Sequence, residues 1–167
     1  MGASAVEIRD AVEGEFAAIG ALTVEVYVGE GYVDGDSPYV AELADTSTRA
    51  DAAEILVAVH EGSVVGSVTV ARPGTPFADI ARAGELEFRM LAVSKAARGL
   101  GVGSALVRRV IETARAEGFG SVVLTTMQGM ADARRMYERM GFVHVPERDW
   151  KTMAGKPLTV MRLGLVD

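Results

Sequence analysis

MLAVSKAARGLGVGSALV, residues Met90 to Val107, runs from an apolar segment through Gly99, Gly101 and Gly103 into the start of an amphipathic one. Before it, Glu85 to Val93 alternates Glu87, Arg89, Leu91 and Val93 against Phe88, Met90 and Ala92, which predicts a strand. After it, Gly103 to Glu117 gathers Leu106, Val107, Val110, Ile111 and Ala114 on one stripe. Arg108, Arg109, Glu112 and Arg115 lie opposite, and Gly118 marks a stop, which predicts a helix. A glycine-rich turn between a strand and a helix is a natural anion site. Glycine lets the backbone turn tightly and approach a ligand, and the first N–H groups of a helix have no internal acceptor. Residues Arg98 to Ser104, with Lys95 nearby, therefore read as a phosphate cradle.

The same glycines leave two other readings open. Gly99, Gly101 and Ser104 approximate a dinucleotide fingerprint, although the acid it calls for about 20 residues on falls at Glu117, before the next strand begins. They also suit a plain tight turn. A Walker loop is excluded, because no Gly-Lys-Ser/Thr occurs.

Outward from this centre, EILVAVH (Glu54 to His60) and SVVGSVTVA (Ser63 to Ala71), joined by Glu61-Gly62, predict a hairpin. Ala5 to Arg9 reads as a first strand, and Ala11 to Val28 as a helix carrying Val12, Phe16, Ile19 and Val26. GEGYVDGDS, from Gly29 to Ser37, reads as a loop between helical segments, and its acids Glu30, Asp34 and Asp36 would favour a cationic acceptor by electrostatics. Downstream, Ser121 to Thr126 reads as a buried strand and Ala131 to Met140 as a short helix. Phe142 to Val145 and Leu158 to Leu163 read as closing strands. The pattern predicts an α/β chain, residues 1–167 forming one domain with a mixed sheet and helices on its faces.

Composition narrows the function. The 167 residues have 49% hydrophobic and 24% charged content, as a globular protein does, and no cysteine, which excludes a disulfide framework, a thiolate nucleophile and a cysteine zinc site. Two histidines, His60 and His144, do not make a metal site, so no metal is expected. A formal net charge of −6 argues against nucleic acid as a partner. No apolar run reaches the roughly 18 to 20 residues of a membrane span, and Met1 to Val6 carries neither a leader nor a myristoylation pattern, so a cytoplasmic protein is expected.

Met90 to Val107 also resembles the central acyl-CoA-binding motif of the GNAT superfamily of N-acetyltransferases, Arg/Gln-x-x-Gly-x-Gly/Ala after a strand, with Arg98, Gly101 and Gly103 in its places. ADARRMYERMGF, residues Ala131 to Phe142, is similar to that family's second motif, a helix bearing a tyrosine before a Gly-Phe strand start. The resemblance implies a mixed, mostly antiparallel sheet of about six to seven strands with a splayed central pair. It further implies acetyl-CoA as co-substrate and direct acetyl transfer to a primary amine of a small molecule or peptide, and it allows a homodimer.

Carried over residue by residue, it puts Leu91, Ala92 and Val93 beside the pantetheine arm, with the Leu91 N–H as an oxyanion donor. It puts the pyrophosphate on Arg98, Gly99, Leu100, Gly101, Val102, Gly103 and Ser104. Tyr137 matches the tyrosine that protonates the leaving thiolate, where a core aromatic is the plain alternative. Glu87, placed on the face of Arg89 and Leu91, matches a general base, with a salt bridge as its alternative and Glu85 as the next candidate. The family's usual Asn before the second helix is missing from Met127-Gln128-Gly129-Met130. A non-catalytic acyl-CoA module and a nucleotide binder are the competing functions.

Overall fold

A computed structural model describes residues 5–165. The reading of Met1 to Ser4 as free of a leader lies outside them. The eight strands among the described residues join one sheet. In chain order they are β1 (Glu7–Asp10), β2 (Glu54–His60), β3 (Ser63–Ala71), β4 (Glu85–Val93), β5 (Ser121–Met127), β6 (Val143–His144), β7 (Trp150–Lys151) and β8 (Pro157–Gly164). Their spatial order is β1-β2-β3-β4-β5-β8-β6, with β7 also on β8. Every pairing is antiparallel except β4 with β5.

The β2–β3 hairpin turns at Glu61 and Gly62, both at positive φ (52° and 79°), the mirror-image turn whose twist matches the strands. Two helices cover one face of the sheet: α4 (Val102–Ala116) and α5 (Ala131–Arg139). Val102, Leu106, Val107 and Val110 of α4 and Tyr137 of α5 pack there with Leu56, Val68, Val70 and Phe88. The stripe predicted for α4 is the stripe that is buried. The opposite face carries α1 (Phe16–Gly29), α2 (Tyr39–Ala44) and α3 (Thr46–Ala52). Ile19 of α1 packs on Ile55 and Val57, residues that alternate with Leu56 and so face away from α4.

Three differences from the sequence reading matter. First, the predicted long helix from Ala11 starts as a 3-10 turn, Glu13–Glu15, and becomes α-helical only at Phe16. Second, the region after the Gly29–Ser37 loop folds into α2 and α3, which a buried arginine holds together. Arg49 Nη1 donates to the carbonyls of Glu42 (2.6 Å) and Leu43 (3.0 Å) at the end of α2, where helical C=O groups lack internal donors.

Third, β4 contains a bulge. Against β3, Ser67 faces Ala92 and Thr69 faces Arg89, so Val68 opposes both Met90 and Leu91, and Met90 sits at φ 57°. The extra residue turns the later side chains over. Leu86 and Phe88 lie in the core under α4 and Leu91 and Val93 pack against it, while Met90 joins Tyr27, Val33, Leu43 and Met130 on the other face.

Candidate active site

β4 and β5 pair only from Glu85/Ser121 to Glu87/Val123 and then part. β5 stays fully paired with β8 from Ser121 to Met127, so it is β4 that loses its partner. The expected splayed central pair is therefore present, and it opens a cleft of about 430 Å³. The cleft passes through the sheet. On the face of α4 and α5 it is lined by Tyr137, Met136 and the glycine turn, and on the α1 face by Tyr27, Arg89 and Met90.

The glycine turn is built from backbone. Gly99 and Gly101 have φ of 90° and 72°, a region open to glycine and costly for other residues, and Gly101 caps α4. The first main-chain bond of α4 runs from the Ala105 N–H to the Gly101 carbonyl. Among the described residues, the N–H groups of Gly99, Gly101, Val102, Gly103 and Ser104 find no acceptor. Five unpaired amides at the positive end of a 15-residue helix form a concave set of donors of the kind that can hold an anion. The closeness of α4 to the sheet rests on Gly66, where a Cβ would lie 2.6 Å from Val102 Cγ1. Arg98 stands beside the cradle, paired with Glu30 from the end of α1. The guanidinium holds the Glu30 carboxyl below its ordinary pKa.

Of the residues singled out in sequence, Leu91, Val93, Arg98, Gly99, Gly101, Val102, Gly103, Ser104 and Tyr137 all line the cleft. The side chains of Ala92 and Leu100 do not. Ala92 is buried on the far side of the bulge, and Leu100 is 45% exposed. Tyr137 is 5% exposed, its ring edge-on to Phe88 at 5.8 Å, and its hydroxyl meets no hydrogen-bond partner among the described residues. Burial pushes its pKa well above the ordinary tyrosine value, so it holds its proton at neutral pH.

Glu87 lies elsewhere than its alternation suggested. The bulge puts it on the face of Arg89 and Met90, opposite Leu91, and it is fully buried and absent from the cleft wall. Its Oε1 accepts the N–H groups of Ile80 (2.9 Å) and Ala81 (3.0 Å), while Oε2 has no partner. Burial raises its pKa, against those two bonds.

Glu85, Glu87 and Arg89 together grip the loop before β4. Glu85 Oε1 accepts the Arg82 N–H at 2.9 Å, and Arg89 Nη1 donates to the Phe77 carbonyl at 3.1 Å. Arg148 closes the set, with Nη1 2.8 Å from Glu85 Oε2 and Nη2 donating to the Ile80 carbonyl at 2.7 Å. Burial opposes ionisation of Glu85, yet Arg148 and the Arg82 N–H hold its pKa below the ordinary value.

Sequence reasoning missed Tyr27, Arg89 and Thr125, all on the cleft wall. A cation inside the apolar run ELEFRMLAV was the available signal for Arg89. The acids expected to draw a cation are not placed to do so: Asp34 and Asp36 are exposed and off the wall, and Glu30 is taken by Arg98.

Comparison with known proteins agrees with this geometry. Residues 17–142 match the model of the Acetyltransferase (GNAT) family. N-acetylaspartate synthetase of Rattus norvegicus is 34% identical over 108 residues, 62% of this chain and 32% of that protein. N-acetyltransferase family 8 member 3 of the same organism is 35% identical over 86 residues, 52% and 36% of the two chains. The matched region thus spans about a third of these curated relatives.

Among solved structures, a GCN5-related N-acetyltransferase from Kribbella flavida superposes with a TM-score of 0.72 at 28% identity, covering 96% of this chain and 98% of that one. The structure of yncA from Salmonella typhimurium with its cofactor acetyl-CoA shares the fold, with a TM-score of 0.71 at 22% identity over 98% and 96% of the two chains. A family model that matches most of the described residues, two motifs in place, and a splayed sheet holding an amide cradle lead to one assignment: the chain belongs to the GNAT family of acetyltransferases.

Proposed function

We propose that the protein is an acetyl-CoA-dependent N-acetyltransferase that passes the acetyl group directly to a primary amine of a small molecule or peptide. The observation that carries this reading is the run of unpaired amides at α4 facing a β4 strand that has shed its β5 partner, with the Tyr137 hydroxyl on the same cleft.

Acetyl-CoA would supply an activated acyl carbon as a thioester. Gly99, Gly101, Val102, Gly103 and Ser104 would hold its pyrophosphate through main-chain N–H groups, with Arg98 adding charge. Leu91 lies in the bulge, outside the ladder with β3, so its N–H is available as the donor to the oxygen on which charge builds. The amine lone pair forms the C–N bond as the C–S bond breaks, its electron pair leaving on sulfur. Tyr137 gives its proton to that sulfur, and the proton shed by the amine passes through water to restore the phenol. An acceptor that arrives as an ammonium loses one proton before it attacks, and Glu87, with a raised pKa and an Oε2 that has no partner, would be the base for that earlier step, reached through water rather than by contact. The chain, cysteine-free, suits the reducing cytoplasm.

The test is the melting temperature of the protein with acetyl-CoA, CoA and NAD, each titrated alone. A ligand at about 100 times its Kd stabilises the native state by about 2.7 kcal/mol, so acetyl-CoA and CoA should raise Tm and NAD should not. Release of thiol on adding amines then separates an enzyme from a non-catalytic acyl-CoA module. Stabilisation by NAD, or by neither CoA species, overturns the reading.

A further inference from the structure

Five charged side chains stand on the cleft wall: Glu30, Arg89, Arg98, Asp132 and Arg139. Both acids are already engaged, Glu30 with Arg98 and Asp132 with Arg135. An incoming ammonium therefore meets no free carboxylate there. Of the three arginines, Arg98 stands at the glycine cradle and Arg139 is exposed near the end of α5. Arg89 alone lies on the α1 face, its side chain 14% exposed, next to the bulge and two residues before Leu91.

Arg89 is held from behind. Nη1 donates to the Phe77 carbonyl at 3.1 Å, Nη2 donates to the Tyr39 hydroxyl at 3.1 Å, and Nη2 lies 3.2 Å from Asp79 Oδ2. Asp79 belongs to the loop that Glu85, Glu87 and Arg148 pin by its backbone, so the guanidinium is fixed on a rigid support. Guanidinium has five N–H donors. The Nε–H and one hydrogen of Nη1 have no acceptor among the described residues, on a side chain that lines the cleft. A partly buried, immobilised guanidinium with donors to spare is a receptor for a carboxylate.

We propose that the acceptor amine also carries a carboxylate, as a free amino acid does, and that Arg89 is the residue that selects it. The inference rests on the acetyltransferase reading and goes beyond it by naming the acceptor class. It reverses the expectation of a cation drawn in by Asp34 and Asp36. Arg89 anchors the carboxylate on the α1 face, and the amine of the same molecule then lies toward Leu91, where the bond forms.

The test uses the whole protein with acetyl-CoA and follows thiol release. Each α-amino acid of a panel is offered beside its own carboxamide and its decarboxylated amine, so that only the carboxylate changes. Amino acids should be favoured in kcat/KM by about 10- to 100-fold, what one or two charge-assisted hydrogen bonds are worth. Arg89→Gln should bring that ratio close to one by raising KM for the amino acid, and Arg89→Lys should keep part of the preference. The Tm shift with acetyl-CoA, measured on each variant, shows that it is folded and binds its donor. Equal use of the three amines, preference for those without a carboxylate, or an unchanged ratio in a folded Arg89→Gln variant overturns the proposal. So does a protein that acetylates none of the amino acids. In that last case a retained acetyl-CoA shift means that only the acceptor assignment has failed, whereas a lost shift takes the acetyltransferase reading with it.

Discussion

The two halves of the cleft are made from different material. The donor half, from the β4 bulge through the glycine turn to α4, consists of main-chain amides set by glycine conformations. The acceptor half, from α1 to α3 with the loop before β4, consists of side chains tied to distant carbonyls: Arg49 to α2, Arg89 to Phe77, Arg148 to Ile80. A site made of backbone needs particular residues at particular spacings, because only glycine tolerates φ near +90° cheaply. One made of side chains needs a long reach and a partner, and many sequences supply that.

If the halves are functionally separate, each should fail in its own way. The largest effect is expected where they meet chemically: Tyr137→Phe should lower kcat about 100-fold, the size of one lost proton donor, and leave the acetyl-CoA Kd alone. Steady-state kinetics with a Tm titration checks both. A matching loss of binding would mean that the hydroxyl holds the cofactor rather than delivers a proton, and an unchanged kcat would leave Tyr137 as a core aromatic packed on Phe88 and Phe142.

Arg49→Met attacks the acceptor half without touching the cleft wall. It leaves the Leu43 carbonyl without a donor and the Glu42 carbonyl with only the Asp45 N–H at 3.3 Å, and a buried acceptor so stranded costs about 1 to 3 kcal/mol. A fall of several degrees in Tm is expected, with the acetyl-CoA shift intact. Loss of that shift would show that α2 and α3 support the donor half as well.

Gly66→Ala is the converse. Its new methyl would press on Val102, and overpacking of this kind costs about 1 to 3 kcal/mol. Here acetyl-CoA affinity should fall together with Tm, because the displaced element is the end of α4 that presents the amides.

pH separates the loop anchors. Glu85 has a lowered pKa in the folded state, so its stabilising contribution is complete above the ordinary glutamate value and is lost as pH falls through the lower, folded one. Glu85→Gln should be less stable than the parent at pH 7 by about 1 kcal/mol and converge with it only as pH falls below the ordinary glutamate range. Chemical denaturation at a series of pH values reads this directly.

The smallest change is Glu30→Gln, which frees Arg98. Acetyl-CoA should bind a few-fold more tightly at low salt, and the gain should shrink as salt rises.

The same contrast explains what could be read from the sequence. The glycine turn, the α4 stripe, the Glu61-Gly62 hairpin and Tyr137 were legible because each depends on local spacing or a short motif. The bulge was not, since Met90 occupies a left-handed conformation that nothing in its side chain announces. That one residue put Glu87 on the face away from Leu91 and made it a loop anchor. Nor does anything in the sequence around Arg148 mark it, although it holds Glu85 across 63 positions of chain. Contacts of that span leave no periodicity to find.

The bulge also decides how β4 responds to a change in its length. Loss of the single codon for Met90 would remove the residue that breaks the alternation and restore regular pairing with β3, while Leu91 and Val93 keep facing α4 and Ala92 keeps facing away from it. A substitution at that position alters one side chain, whereas its deletion abolishes the bulge and takes Leu91 into regular opposition with Val68. Among in-frame deletions in this region, this one should spare the core as those around Thr75 in the preceding loop do, and cost turnover instead, so the extra residue of β4 is kept by the site and not by the packing.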